Sequence, residues 1–147
     1  MENKIALVTG ASSGIGRACA VALAKGGYDI IACGRRKERL ESLQQELPAD
    51  TDYLYLVFDV RDKSAVQKAF ASLTGKWKSI NVLINNAGNA HGLDPIQSGD
   101  SDDWDAMMDI NVKGLLYVSR EILPGMVERK SGHVINIGST AAKEVYS

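Results

Sequence analysis

Three glycines stand within seven residues of one another near the start of the chain, in the segment Thr9-Gly10-Ala11-Ser12-Ser13-Gly14-Ile15-Gly16. An apolar run precedes this segment, and a helical period follows it directly. Glycines at such a junction let the backbone turn tightly and approach a pyrophosphate, which the first amides of the helix then bind. Glycines also mark plain turns, but the strand before and the helix after favour a dinucleotide-binding loop. The residues that we expect to contact the dinucleotide here are Gly10, Ser12, Ser13, Gly14, Ile15 and Gly16.

Two adjacent arginines, Arg35 and Arg36, follow the second apolar run. In a dinucleotide-binding fold an acidic residue at this point usually holds the ribose 2′-hydroxyl of NAD. Guanidinium groups instead suit the 2′-phosphate of NADP, which a carboxylate would repel. The alternative is that both arginines are solvated charges at the start of a helix over Lys37–Leu47, where positive charge is unfavourable. The pair therefore predicts NADP(H) rather than NAD(H) as the cofactor.

The elements that must position these residues are indicated by short apolar runs that alternate with segments of helical period. The predicted strands are Ile5–Thr9, Tyr28–Cys33, Tyr53–Phe58, Val82–Asn85 and Val134–Ile137. The predicted helices are Ile15–Lys25, Lys37–Leu47, Lys63–Leu73 and Asp102–Arg129. Nearly continuous apolar strands are typical of a sheet covered on both faces, and their alternation with helices implies right-handed βαβ crossovers. We therefore expect an α/β fold with a Rossmann-like doubly wound parallel sheet, as one NADP-binding domain over residues 1–147 or part of one.

The last predicted helix contains residues that interrupt helices. Asn111, Gly114 and the pair Pro124-Gly125 lie within it, so we expect a break or bend near each of its ends.

The composition excludes several classes of function. The chain has 45% hydrophobic and 24% charged residues and a formal net charge of −1, which gives no reason to expect nucleic acid or an anionic membrane as a partner. No apolar run reaches the roughly 20 residues of a membrane-spanning helix. Cys19 and Cys33 are expected to be buried free thiols, which suits the cytoplasm. We assign no metal, because neither His91 nor His133 has the partners of a ligand set and the acidic residues at 100–103 suit a helix start.

Four further motifs follow the loop in order: Asp59-Val60, Asn85-Asn86-Ala87-Gly88, Asn111 and Ile137-Gly138-Ser139. Together with TGASSGIG at 9–16, they resemble the short-chain dehydrogenase/reductase family over all 147 residues. The segments GRRKERL, LINNAGNAHG, DWDAMMDINVKGLLY and LPGMVERKSGHVINIGSTA are similar to its NADP-dependent 3-hydroxy acid (serine or allo-threonine) dehydrogenase branch. The resemblance implies an NADP(H)-dependent oxidoreductase that interconverts a secondary alcohol and a carbonyl, with a small 3-hydroxy acid as the small-molecule substrate. Short-chain reductases of other carbonyl compounds share much of the pattern, so the substrate stays open.

The same resemblance implies a role for each motif. Asp59 and Val60 would contact the adenine, and Asn85-Asn86-Ala87-Gly88 would give backbone contacts to the cofactor and support the central strand. The implied catalytic residues are Asn111, which would hold a water in a proton relay, and Ser139, which would hydrogen-bond the substrate oxygen. Taken singly, Asp59 could be a turn residue, Asn111 a helix-terminal residue and Ser139 an ordinary strand-end serine.

The proton donor of the reaction is not among the matching motifs. In the family a Tyr stands roughly 13 residues after the Ser, with a Lys one helical turn further on, and this pair supplies the acid. Tyr146 is only seven residues after Ser139, and Lys143 precedes it, so neither matches. We therefore expect this polypeptide to be the N-terminal part of a longer protein and to be inactive alone. The alternative is a non-catalytic nucleotide-binding protein that lacks the Tyr and Lys.

Two surfaces are expected to remain uncovered in this chain. The last strand, within HVINIGS, would form an apolar edge of the sheet. The long helix over 102–129 would keep an exposed apolar stripe of Met107, Met108, Leu115, Leu116, Val118 and Ile122. The resemblance implies that this helix pairs with its symmetry mate in a homo-oligomer, a dimer or a tetramer.

Overall fold

The computed structural model describes residues 2–86 and 97–137. The strands are β1 (Ile5–Val8), β2 (Asp29–Gly34), β3 (Tyr53–Val57), β4 (Val82–Asn85) and β5 (His133–Asn136). The α-helices are α1 (Gly14–Lys25), α2 (Lys37–Leu43), α3 (Lys63–Ala71), α4 (Ser101–Met108) and α5 (Leu115–Arg129). The remaining elements are 3₁₀ turns at Gln44–Glu46 and Gly75–Lys78 and a π-helical segment at Asp109–Gly114. Each predicted strand and helix is found, with ends shifted by a few residues.

The five strands form one parallel sheet in the order β3-β2-β1-β4-β5. Leu7 of β1 lies in register with Ile31 on one side and with Leu83 on the other. The chain therefore moves outward in one direction from β1 and then in the opposite direction from β4. Ligands of open α/β sheets bind at the carboxyl ends of the strands where this order reverses. The predicted doubly wound Rossmann-like fold is confirmed.

Alternate side chains of each strand pack on opposite faces of the sheet, as the geometry of a strand requires. On one face, Leu7 and Leu83 belong to a core that includes Val66 of α3 and Val118 of α5. The core of the other face, which contains Val8, is formed with α1 and α2 through residues such as Ala20, Ala24, Leu40 and Leu43. Because helices cover both faces, the central strands are apolar throughout.

The strand β5 departs from that pattern. Of its four residues only Val134 is half-buried, and Ile135 is 38% exposed. The expectation that all five strands are covered on both faces is therefore wrong for β5, because only Val134 packs against the core that α5 covers, while the other three residues of the strand are exposed. As predicted, β5 is an edge strand of the sheet that the described residues form. A second correction concerns Cys19, which is only half-buried on α1, whereas Cys33 is buried on β2.

The predicted long helix is interrupted once. The π-helical segment Asp109–Gly114 separates α4 from α5 and contains Asn111, as the sequence pattern indicated. No corresponding break occurs at Pro124, because α5 continues through it to Arg129. Pro124, in the tenth position of the helix, is exposed, so it removes one backbone hydrogen bond on the outer side while Val118, Ile122 and Met126 hold α5 on the sheet.

The predicted apolar stripe is only partly exposed. Val118 and Ile122 are buried, since with Met126 they form the side of α5 that covers the sheet. Met108 and Leu116 of the predicted stripe are exposed, and so are three apolar side chains that the stripe did not include: Val112, Leu123 and Val127. The helix therefore has two apolar faces, and sequence spacing alone did not separate them. Within the described residues, no helix combines the length and apolar character needed to cross a membrane.

Candidate functional site

The glycine loop joins β1 to α1 at the carboxyl edge of the sheet. Gly10 and Gly14 have φ angles of +61° and +60°, in the left-handed region that glycine adopts without strain. The loop is fixed to both neighbouring strands, because the Ala11 amide donates to the Cys33 oxygen at 2.9 Å and the Thr9 amide to the Ile84 oxygen at 3.0 Å. This part of the chain thus has the strand–loop–helix geometry that the spacing predicted.

A third glycine of the loop, Gly16, is required by close packing. A Cβ atom at this position would lie 2.2 Å from the Gly10 oxygen and 2.5 Å from Asn86 Nδ2. Asn86 Nδ2 itself donates to the Gly10 oxygen at 3.3 Å, so the loop rests on the end of β4. Gly16 lets the first turn of α1 approach the loop closely, a feature that dinucleotide-binding loops use to bring helix amides near a phosphate.

A cleft of about 390 Å³ opens beside the loop, at the carboxyl ends of β1, β2 and β3. Among the predicted site residues, those lining it are Gly10, Ser12, Ser13, Ile15, Arg35, Arg36, Asp59, Val60 and Asn86. Four more residues line it that the sequence did not single out: Cys33, Gly34, Phe58 and Ile110. Burial raises the pKa of the Cys33 thiol far above its ordinary value, so Cys33 stays protonated and contributes an apolar wall.

The two arginines lie at the rim of this cleft, between β2 and α2. Arg36 Nη2 is 3.5 Å from Ser13 Oγ, which brings one arginine to the loop. Both arginines are exposed, so their guanidinium groups are accessible to an anion in the cleft.

A third arginine, Arg17, holds the two sides of the cleft together from behind. Its guanidinium donates to the Ser12 oxygen at 3.3 Å, in the glycine loop, and to the Arg39 oxygen at 2.9 Å, in α2. It also donates to Ser42 Oγ at 3.1 Å and to Glu46 Oε2 at 2.5 Å. These bonds set the distance between the loop and the start of α2. Sequence reasoning missed this residue, because the contacts span up to 29 positions of the chain.

The turn after β3 brings an acidic side chain to the cleft. Both oxygens of Asp59 accept hydrogen bonds from Arg61, with Nη2 to Oδ2 at 2.6 Å and Nε to Oδ1 at 3.0 Å. These hydrogen bonds, aided by the charges of Arg61 and Arg35, hold the pKa of the Asp59 carboxyl below its ordinary value. Asp59 is therefore a carboxylate at neutral pH.

The asparagines at the end of β4 join three elements. Asn85 is buried, and its Nδ2 donates to Asn136 Oδ1 of β5 at 2.9 Å and lies 3.3 Å from Ser119 Oγ of α5. The backbone N–H of Asn86 donates to Thr9 Oγ1 at 2.9 Å. Asn85 thus lies in the sheet and not at the cleft, where Asn86 lies.

The π-helical segment borders the cleft on its remaining side. Ile110 is buried there, and the next residue is the predicted relay residue Asn111. A Cβ atom at Gly114 would lie 2.6 Å from Cγ2 of Val60, so the segment packs directly on the turn that carries Asp59. The extra residue of a π turn is often found at functional sites.

Three predicted site residues, Ala87, Gly88 and Ser139, lie outside the described residues, and so do Tyr146 and Lys143. In the described ranges, no three His, Cys, Asp or Glu side chains are grouped so that they could hold a metal ion.

Comparisons with known proteins agree with this geometry. A family model described as short chain dehydrogenase matches residues 4–147. An NADP-dependent 3-hydroxy acid dehydrogenase of Salmonella typhi is 48% identical over 143 residues, which is 97% of this chain and 57% of that protein. A serine 3-dehydrogenase of Rhizobium radiobacter is 44% identical over 140 residues, covering 95% of this chain and 55% of the relative.

Solved structures are similar over the same span. The closed form of a serine dehydrogenase complexed with NADP+ matches with a TM-score of 0.88 and 45% identity, over 97% of this chain and 57% of the other. An actinorhodin polyketide ketoreductase with NADPH matches with a TM-score of 0.89 and 32% identity, over 98% and 56%. The chain therefore spans a little more than half the length of these relatives.

Proposed function

The chain belongs to the short-chain dehydrogenase family, and from that premise we propose that it is the NADP(H)-binding part of an oxidoreductase that interconverts a secondary alcohol and a carbonyl. The observation that carries the proposal is the cleft, whose rim combines a glycine loop, two exposed arginines and an ionised Asp59. The relatives named as NADP-dependent dehydrogenases support the same cofactor.

The residues present fit a dinucleotide. Gly16 approaches Gly10 so closely that only a residue without a side chain fits there, as a dinucleotide-binding loop requires. We assign the pyrophosphate to the loop from Gly10 to Gly16, the 2′-phosphate to Arg35 and Arg36, and the adenine to the turn of Asp59 and Val60. Residues of all three segments line the cleft.

The preference for NADP(H) over NAD(H) rests on the end of β2. The residue types there are Gly34, Arg35 and Arg36, with no carboxylate to accept the two ribose hydroxyls of NAD(H). Guanidinium groups bind a phosphate bidentately and lose little on leaving water. Arg36 beside Ser13 offers such a group next to the phosphate-binding loop.

For the reaction, a bound cofactor would accept a hydride at its nicotinamide ring when the alcohol is oxidised and donate it when the carbonyl is reduced. We assign to Ser139 the hydrogen bond that orients the substrate oxygen and to Asn111 the support of a proton-relay water. Ser139 follows β5 by three residues, and Asn111 lies in the π-helical segment beside the cleft. The substrate class that the relatives' names favour is a small 3-hydroxy acid such as serine.

We further propose that the protein is a homo-oligomer and works in the cytoplasm. Five apolar side chains along the helix from α4 to α5 are between 38% and 73% exposed, which is unusual for a surface in contact with water. A second copy of the same helix is a partner of matching chemistry. The two cysteines are free thiols, which fits a reducing compartment.

The test is a titration of the full-length protein with NADPH and NADH, followed by turnover assays with serine, 3-hydroxyisobutyrate and an unrelated alcohol. We expect tighter binding of NADPH, and reduction of NADP+ with at least one hydroxy acid. Replacing both Arg35 and Arg36 by alanine should weaken NADPH binding by roughly ten- to hundredfold, as loss of a bidentate phosphate contact does, and change NADH binding little.

The matched control is Arg39→Ala, which removes an exposed arginine from α2 that does not line the cleft. Its NADPH affinity should equal that of the unaltered protein. Tighter NADH than NADPH binding would overturn the cofactor assignment, and NADP(H) binding without turnover of any alcohol or carbonyl would favour a nucleotide-binding protein without this activity.

A further inference from the structure

The cleft contains a carboxylate in a place where a phosphate is expected nearby. Asp59 and the two arginines Arg35 and Arg36 line the same cavity. The charge of Arg35 is close enough to Asp59 to stabilise its ionised form. An uncompensated carboxylate here would have two effects on a bound 2′-phosphate. It would repel the phosphate, and it would compete with it for Arg35.

The side chain of Arg61 removes both effects. Its Nε lies 3.0 Å from Oδ1 and 3.1 Å from Oδ2 of Asp59, and its Nη2 lies 2.6 Å from Oδ2. The backbone amide of Arg61 also donates to Oδ1 at 3.0 Å. Both carboxylate oxygens are thus occupied by one guanidinium, which itself does not line the cleft.

This arrangement is built into the local chain. The backbone amide of Asp62 donates to the backbone carbonyl oxygen of Asp59 at 3.0 Å, which closes a tight turn directly after β3. In such a turn the Asp side chain bonds to the amide two residues later, and the side chain at that position lies beside it. The charge of Asp109 acts on Arg61 more weakly than Asp59 does, and Asp109 forms its own ion pair with Lys113 at 3.2 Å. Arg61 is therefore committed to Asp59.

We propose that Arg61 is a specificity-determining residue that acts through Asp59. By binding both oxygens of that carboxylate it leaves Arg35 free to bind the 2′-phosphate, and so it raises the preference for NADPH over NADH. This inference rests on the proposed cofactor. It assigns to Arg61 a positioning role without contact to the cofactor.

The experiment measures dissociation constants of NADPH and of NADH for the full-length protein and for Arg61→Ala, Asp59→Asn and the double variant. Arg61→Ala should lower the NADPH-to-NADH affinity ratio by about fivefold, the upper range for a half-exposed ion pair. The double variant should recover the ratio seen for Asp59→Asn alone, because an amide neither repels phosphate nor competes for Arg35. The amide oxygen can still accept a hydrogen bond from adenine.

Two further variants sharpen the result. Arg61→Lys keeps the positive charge but loses the paired guanidinium hydrogen bonds to Asp59. Its NADPH-to-NADH affinity ratio should therefore fall less than that of Arg61→Ala. Lys63→Ala is the matched control, since it removes an exposed positive charge two residues away at the start of α3 and should leave the ratio unchanged.

The outcomes separate this inference from the proposed function. If the unaltered protein does not prefer NADPH, the cofactor assignment fails. If it does prefer NADPH and Arg61→Ala keeps the same ratio, only the role of Arg61 is overturned. If Arg61→Ala weakens NADPH and NADH binding equally and the double variant does not restore the affinities, Arg61 merely supports the fold. That result too would overturn the inference. If Arg61→Ala does not fold, the ratios of Arg61→Lys and Asp59→Asn decide: the first should fall and the second should not.

Discussion

Glycine serves two different physical needs within the loop that begins at Gly10. At Gly14 the need is conformational, since φ is +60° and a Cβ atom would meet nothing within 4 Å. At Gly16 the need is space, since a Cβ atom would lie 2.2 Å from the Gly10 oxygen. The first kind of site tolerates alanine at the cost of backbone strain, whereas the second requires backbone to move.

We therefore expect Gly16→Ala to separate α1 from the loop. The free energy of unfolding should fall by about 1–3 kcal/mol, the usual cost of overpacking, and NADPH affinity should fall at least about tenfold because the amides no longer face the phosphate. Calorimetric titration and urea unfolding measure the two effects. Gly26→Ala is the control. Gly26 ends the same helix with φ −81°, and a Cβ atom there would lie 3.4 Å from its nearest neighbour, the Leu23 oxygen. Equal affinities for Gly16→Ala and Gly26→Ala would contradict this explanation.

The sequence predicted those site residues whose signal lies in short motifs. Gly10, Arg36 and Asp59 line the cleft as expected, because each follows a strand directly and strand ends meet at one edge. Arg17 and Ile110 could not be predicted in this way. Their positions depend on contacts with residues far away in the chain, which periodicity and local spacing do not encode.

At the scale of the elements, a charged cluster lies at the end of the sheet away from the cleft, around the start of β2. Asp29, at the start of β2, is only 2% exposed. Its oxygens accept from Lys76 Nζ at 3.0 Å, the Asp52 amide at 3.0 Å and Asn3 Nδ2 at 3.3 Å. Lys76 also pairs with the Asp52 side chain. The cluster ties together the N-terminal segment, the start of β3 and the turn before β4.

This cluster should make stability depend on acid. Burial alone would raise the pKa of Asp29, but the hydrogen bonds from Asp52, Lys76 and Asn3 and the charge of Lys76 outweigh it and lower the pKa. Since the pKa is lower in the folded state, the contribution is present above the unfolded value of about 4 and is lost as pH falls through the folded value. Urea unfolding at pH 7 and pH 3 should therefore show a smaller acid loss for Asp29→Asn than for the unaltered protein.

At neutral pH the same substitution should lower the free energy of unfolding by about 1–3 kcal/mol, because Lys76 loses a buried partner. Asp50→Asn serves as the control, since Asp50 is an exposed carboxyl in the loop before β3 that also contains Asp52. An unchanged pH dependence in Asp29→Asn, with Asp50→Asn giving the larger effect, would show that the cluster is not the source.

The interruption before α5 shows which part of an element a sequence can predict. Asn111 and Gly114 signal a weak point in the helix, and the structure has one there. The kind of interruption follows from a distant contact, since Gly114 packs against Val60 so closely that a Cβ atom would lie 2.6 Å from Val60 Cγ2. A π turn allows this approach while α4 and α5 continue on either side.

At the scale of the whole molecule, an exposed apolar face runs along the π-helical segment and α5. Val112, Leu116, Leu123 and Val127 follow one another at spacings of four, seven and four residues, which places them on one face of a helix. This face points away from the buried residues Val118, Ile122 and Met126 of the same helix. Spacing alone could not separate the two faces, because both are apolar. We propose that a second copy of the chain covers the exposed one.

A charge on this face should therefore dissociate the oligomer. Leu116→Glu places a carboxylate at its centre, where a buried unpaired charge opposes association, and should weaken self-association by about thirtyfold, the effect of losing 2 kcal/mol at an interface. Sedimentation of the full-length protein over a range of concentrations measures this. Glu121→Lys is the control, because Glu121 is exposed on α5 but lies off this face. A protein that sediments as a monomer before any substitution, or an oligomer that Leu116→Glu leaves intact, would show that the exposed face is not the interface.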